Sequence, residues 1–187
     1  MVIGYALTGS FCTFEKSVRQ IEKLKNEGYD IIPVMSENAF STSTRFGDAL
    51  YFTDKIQNIC GHEIISTVKQ AEPIGPKKLL DLLVVSACTG NTLGKLAGGI
   101  YDTSVTLAVK AHLRNQRPVL IGVSTNDALS GSAKSIGTLF NLKNYYFIPM
   151  KQDDPVNKPQ SVVADFEKTC DAVKCALEGK QIQPVLC

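Results

Sequence analysis

Tryptophan is absent, histidine occurs only twice, and neither sign of charge predominates: 20 Lys and Arg stand against 18 Asp and Glu. A net charge of +2 provides no clustered basic surface for tracking phosphates, so no nucleic-acid partner is expected. Long apolar runs are also missing. Leu82–Ala87 and Val119–Val123 fall far short of the roughly 20 residues a membrane span needs, so no membrane partner is expected. The first residues, MVIGYALTGSF, lack a basic segment and a small-residue cleavage site; they read as a buried strand rather than a signal peptide, and the expected location is cytoplasmic. The six cysteines include no Cys-x-x-Cys pair, and His62 and His112 lack Cys or carboxylate partners at ligand spacing. Reduced thiols and no metal site are the expectation. The composition, 44% hydrophobic and 20% charged, excludes a disordered or low-complexity chain.

What is present is an alternation of short apolar runs and helical periods. Val2–Leu7, Tyr29–Met35, Leu82–Val85, Pro118–Val123 and Tyr145–Pro149 read as strands. Phe14, Val18, Ile21 and Leu24 recur at helical spacing, with Gly28 placed as a stop. Val162, Phe166, Val173 and Leu177 read as the stripe of a last helix ending at Gly179. Strands with few charges, separated by helices, predict an α/β fold: a doubly wound parallel sheet with helices on both faces. The whole chain, 1–187, reads as one domain, with a loop or arm at 151–160 before the last helix.

Ligands in such sheets sit beyond the carboxyl ends of the strands. Four segments fall there: Thr8–Phe11, Ser36–Ala39, Ser86–Thr92 and Ser124–Asp127. Each is rich in hydroxyls and amides rather than charges, which suits a phosphate and a polar heterocycle and equally suits helix caps and turns. The first turn carries one glycine, not Gly-x-Gly-x-x-Gly, and no Gly-x4-Gly-Lys-Ser/Thr loop exists. That pattern favours a mononucleotide such as FMN over a dinucleotide or ATP.

The stretch from Ala87 to Asp102 is the most specific part of the chain. With the Thr8-Gly9-Ser10 turn, it resembles the homo-oligomeric flavin-containing Cys decarboxylase superfamily, whose signature is P-A-S-A-N-T-x-x-K-x-A-x-G-x-x-D. Asn91, Thr92, Lys95, Ala97, Gly99 and Asp102 match it, and Ala87 stands where proline is usual. The resemblance implies a flavodoxin-like Rossmann fold, FMN as cofactor and a trimer-based homo-oligomer, often a dodecamer. It implies that Gly9, Ser10, Phe11, Ser36, Ala87, Thr89, Asn91, Thr92 and Ser124 contact the cofactor and that Asn126 faces ring or substrate.

The departures are as informative. The superfamily's catalytic His before the third strand is replaced by the Glu72-Pro73 region. Of its P-x-M-N-x-x-M-W motif only Asn126 remains, and no Cys lies between 89 and 169 to serve in a substrate clamp. Ala71–Lys78, Cys88–Thr92, Gln152–Pro155 and Lys158–Ser161 resemble instead a branch of the superfamily that forms half of a two-component pyridine-2,6-dicarboxylate synthase in sporulating bacteria. That resemblance implies an oxidoreductase-type component acting on a small dicarboxylate beside a nucleotide-binding partner that carries NADP. A stand-alone decarboxylase, a flavin prenyltransferase and a non-catalytic FMN-binding scaffold are the alternatives. The sequence singles out no acid or base residue. Cys12, Cys88, Glu72, Lys77, Lys78 and Lys95 each admit both a ligand role and an ordinary structural one.

Overall fold

A computed structural model describes residues 1–187. In chain order the elements are β1 (Val2–Leu7), α1 (Phe14–Asn26), β2 (Asp30–Met35), α2 (Glu37–Ser41), α3 (Ala49–Cys60), α4 (Val68–Ala71), β3 (Leu82–Cys88), α5 (Gly90–Ala97), α6 (Ser104–Leu113), β4 (Val119–Thr125), α7 (Ala133–Asn141), β5 (Tyr145–Phe147), β6 (Met150–Lys151), β7 (Val162–Ala164) and α8 (Thr169–Leu177). Short 3-10 turns precede α1 and α8 and follow α4.

The seven-stranded sheet runs β2-β1-β3-β4-β7-β6, with β5 also paired to β4. The strands β2, β1, β3, β4 and β5 are mutually parallel. This is the flavodoxin-like order, in which the direction of winding reverses between β1 and β3. Every residue of the central strand β3 is buried. Alternation along it divides the core: Leu82 and Val84 face α1, α3 and α8, whereas Leu83 and Val85 face the packing around α4 and α6.

Helix α1 shows why its sequence was readable. Phe14, Val18, Ile21 and Leu24 are all buried. The helix ends in a Schellman turn, with Tyr29 N–H donating to Leu24 O (3.2 Å), Gly28 N–H to Lys25 O (2.9 Å), and Gly28 at φ +88°.

The structure departs from the sequence reading in two places. Val162 and Phe166 are not part of the last helix: Val162–Ala164 is strand β7, Phe166 lies in a 3-10 turn, and α8 begins at Thr169. Strand β7 pairs antiparallel with the carboxyl end of β4, Ser124 opposite Val163 and Thr125 opposite Val162. It thereby satisfies backbone groups on β4 beyond the reach of the short β5, which pairs only with Val119–Ile121. β6 joins β7 antiparallel, so the sheet is mixed at that edge. His62 follows the end of α3, which Gly61, at φ +72°, terminates.

Candidate functional site

The carboxyl ends of β1, β3 and β4 meet where the winding reverses, and their loops are tied together by buried hydroxyls. Thr8, 1% exposed, donates its hydroxyl to Ala87 O (2.6 Å) and accepts the Thr89 N–H (3.1 Å). One threonine thus fixes the β1 loop against the β3 loop. Beside it, Ser10 and Ser124 share a hydrogen bond of 2.8 Å, and Thr13 donates to Ser10 Oγ at 3.0 Å. These three hydroxyls, from β1's loop and the end of β4, form a neutral polar floor. Thr89 is the N-cap of α5, accepting the Thr92 N–H. The positive end of that helix dipole therefore opens onto the same rim.

Two joined clefts lie above. The wider, of about 730 Å³, is lined by Gly9, Ser10, Phe11, Cys12 and Thr13, by Phe46, by Thr89–Asn91, by Ser124–Asp127, and by Asp153, Lys158 and Ser161–Val163. The narrower, of about 350 Å³, is lined by Thr8, Gly9, Phe11, Ser36, Glu37, Asn38, Thr89, Asn91, Thr92, Lys95 and Thr103. Gly9, Phe11, Thr89 and Asn91 belong to both. Of the residues named from sequence, Gly9, Ser10, Phe11, Thr89, Asn91, Ser124 and Asn126 lie on the wide cleft, and Ser36 and Thr92 on the narrow one. Ala87 lines neither; it is 2% exposed and takes part through its carbonyl.

The charged groups are sparse and mostly engaged. Asp127 accepts hydroxyls from Thr125 (2.5 Å) and Ser132 (2.8 Å). The Thr125 hydrogen bond leads in holding its carboxyl below the usual range. Asp153 accepts the Ser161 hydroxyl at 2.7 Å, which depresses its carboxyl likewise. Lys95 is bound to both carboxylate oxygens of Asp102, at 2.8 and 3.0 Å, and Glu37 accepts the Ser104 N–H at 2.9 Å. Cys12 is exposed on the wide cleft, whereas Cys88 is fully buried, and burial pushes its thiol up and out of reach of chemistry. Neither histidine lines either cleft. His62 pairs with Asp30 at the surface (2.9 Å), and His112 is fully buried against Pro118 O (2.9 Å). No group of three or more His, Cys, Asp or Glu side chains is disposed to hold a metal.

Several lining residues escaped the sequence reading. Phe46 sits in the segment between α2 and α3, which has no hydrophobic period to place it. Asp153 and Lys158 belong to the arm and Ser161 directly follows it; charge and prolines marked a loop there but not the direction in which it folds. Thr13 had a signal of sorts, a hydroxyl on the buried side of α1's entry, one turn before Ser17.

Comparison with known proteins places the chain among its relatives. The Flavoprotein family model matches residues 1–167. The chain is 45% identical over 184 residues, 98% of its length and 92% of the other protein's, to the B subunit of dipicolinate synthase from Bacillus subtilis (strain 168). The crystal structure of the dipicolinate synthase B subunit from Bacillus halodurans C superposes with a TM-score of 0.91 at 40% identity, covering 100% of this chain and 95% of that one. At 20% identity and a TM-score of 0.71, the FMN-dependent cysteine decarboxylase SpaF shares the fold over 95% of both chains. With its topology, its rim of hydroxyls and these matches, the chain belongs to the Flavoprotein family.

Proposed function

We propose that this chain is the B subunit of dipicolinate synthase, forming pyridine-2,6-dicarboxylate from a dihydrodipicolinate-level precursor together with a nucleotide-binding A subunit. The observation that carries the reading is 45% identity extending over nearly the full length of both chains, arm included. On this reading FMN is the cofactor, NADP belongs to the A subunit, and the protein works in the cytoplasm as a trimer-based homo-oligomer.

The residues present fit FMN. The narrow cleft offers hydroxyls from Ser36, Thr89 and Thr92 and backbone N–H groups at the start of α5, a donor set for one phosphate. The wide cleft offers Phe11 and a floor of neutral hydroxyls, which suits a planar heterocycle rich in acceptors. Both volumes lie in the range of small-molecule sites. The glycine at position 9 leaves its loop open, since a Cβ there would meet only the Phe11 ring, at 3.7 Å.

Bound FMN supplies two-electron redox chemistry. The chain itself binds and orients: Thr8 locks two loops, α5 presents its N-terminus, and Ser10, Thr13 and Ser124 fix hydrogen-bond directions at the floor. Aromatisation of a dihydropyridine removes a hydride and a proton, and NADP on the partner would accept the hydride. Asp127 is held ionised by its hydroxyl donors and serves to orient rather than to donate a proton.

The test joins both chains with the dihydro precursor and NADP and follows dipicolinate absorbance. Product that depends on this chain is expected; equal product without it overturns the reading. Titration with FMN, followed by flavin fluorescence, is expected to saturate, and the Ser36→Ala/Thr92→Val pair to weaken it on the order of a hundredfold, each lost hydrogen bond to a charged group costing about 1.5 kcal/mol.

A further inference from the structure

The arm between β6 and β7 is more ordered than a connection requires. Gln152 Nε2 donates to Pro159 O (2.8 Å), Lys158 N–H to Asp154 O (2.8 Å), and Asn157 N–H to Asp154 Oδ1 (3.0 Å). Ser161 Oγ donates to Asp153 Oδ1 (2.7 Å), and Leu129 N–H donates to Gln160 O (3.1 Å), which anchors the arm to the loop after β4. Fixing exposed, charged residues in this way costs backbone conformational entropy, which calls for a compensating use. The arm lays Asp153, Lys158 and Ser161 along the wide cleft.

The charges on that cleft identify the use. Its lining holds two carboxylates, Asp127 and Asp153, and one cation, Lys158. Asp127 is occupied by Thr125 and Ser132, and Asp153 by Ser161. Lys158 has only a loose partner, Asp153 at 3.6 Å. At the narrow end Lys95 is already bound to Asp102. A dianion entering the wide cleft meets repulsion from two carboxylates and attraction from one under-used ammonium.

We propose that Lys158 is a specificity-determining residue of this site, receiving one carboxylate of a dicarboxylate substrate and exchanging it for Asp153. The inference rests on the function proposed above and deepens it by naming the residue that distinguishes a dicarboxylate from a monocarboxylate. Asp153 then acts as the internal competitor that holds the ammonium over the cleft until substrate displaces it.

The experiment measures the affinity of the FMN-loaded chain for pyridine-2,6-dicarboxylate and pyridine-2-carboxylate by calorimetry, with FMN affinity, melting temperature and the two-chain assay run in parallel. For a pair at a solvated rim, K158M is expected to bind the dicarboxylate about threefold to tenfold more weakly, K158R to recover most of the loss, and the contrast to shrink in high salt. D153N keeps an oxygen for the Ser161 hydroxyl and removes the competing charge, so it is expected to tighten the dicarboxylate severalfold. A merely structural arm would not yield opposite signs at 153 and 158. Unchanged dicarboxylate affinity in K158M, or a matching loss of FMN, overturns the assignment while product formation by the wild-type pair keeps the function intact. A wild-type pair that makes no product removes the function and, with it, the role of Lys158.

Discussion

His112 is a fully buried imidazole on α6, and its environment fixes its state. Its Nε2 lies 2.9 Å from Pro118 O, which can only accept, so Nε2 carries the proton; Nδ1 is buried with no partner. Burial, only partly offset by the Pro118 carbonyl, pushes the group down to about 4. In the unfolded chain it titrates near 6.5. Below that value the unfolded state binds a proton that the folded state refuses. The stability this residue contributes is therefore complete above pH 6.5 and is lost as pH falls toward 4. The loss amounts to about 3 kcal/mol at the acid end. Urea melts at pH 7.5, 6.0 and 4.5 are expected to show it as a component missing from His112→Gln, which keeps an N–H donor for Pro118 but does not titrate. Parallel pH profiles for wild type and variant would refute the assignment.

At the scale of elements, α5 connects stability to the site. Thr89 caps its first turn, and Gly90 follows where no side chain fits: a Cβ would stand 2.5 Å from Ser132 Oγ, 2.8 Å from Asp127 Oδ1 and 2.9 Å from Thr125 Oγ1. Gly90→Ala must therefore break the hydroxyl–carboxylate cluster that orients Asp127. We expect a cost of about 1–3 kcal/mol together with weakened ligand binding. Thr89→Ala removes the cap, about 1 kcal/mol, together with one hydroxyl of the narrow cleft, and leaves that cluster intact. Thermal melts would separate the two, and a smaller loss of stability at Gly90 than at Thr89 would contradict the packing. The sequence disclosed these elements unevenly. The first helix announced itself because its apolar spacing and Gly28 stop are local, and the β3–α5 junction because its residues form a long motif. Strand β7 was hidden: Val162 and Phe166 happen to stand four apart, as in a helix, and only unpaired backbone on β4 decides against it. Ala87 lines neither cleft for a related reason: a motif position says which backbone is used but not whether its side chain reaches the cleft.

Over the whole molecule, β3 carries the two cores on its opposite faces. Val84 packs with the cluster around α1, α3 and α8, Val85 with the one around α4 and α6, and both are fully buried. Neither cluster has a sheet of its own, so loss of one face exposes the strand the other depends on. The arm adds no third core, because the small cluster of Ala87, Val163 and Phe166 bridges β3 and β7. A chain built this way is expected to unfold as one cooperative unit, which is what a single domain over 1–187 means physically. Val84→Ala and Val85→Ala should each cost about 2–3 kcal/mol and shift the same transition. Far-UV circular dichroism and tyrosine fluorescence, recorded in urea at one protein concentration so that any assembly contributes equally, should report coincident midpoints for wild type and both variants. Two separated transitions, with Val84→Ala moving one and Val85→Ala the other, would show that the faces unfold independently. In that case the rim between β1 and β3 would be a boundary between folding units rather than a ligand site set in a single rigid sheet.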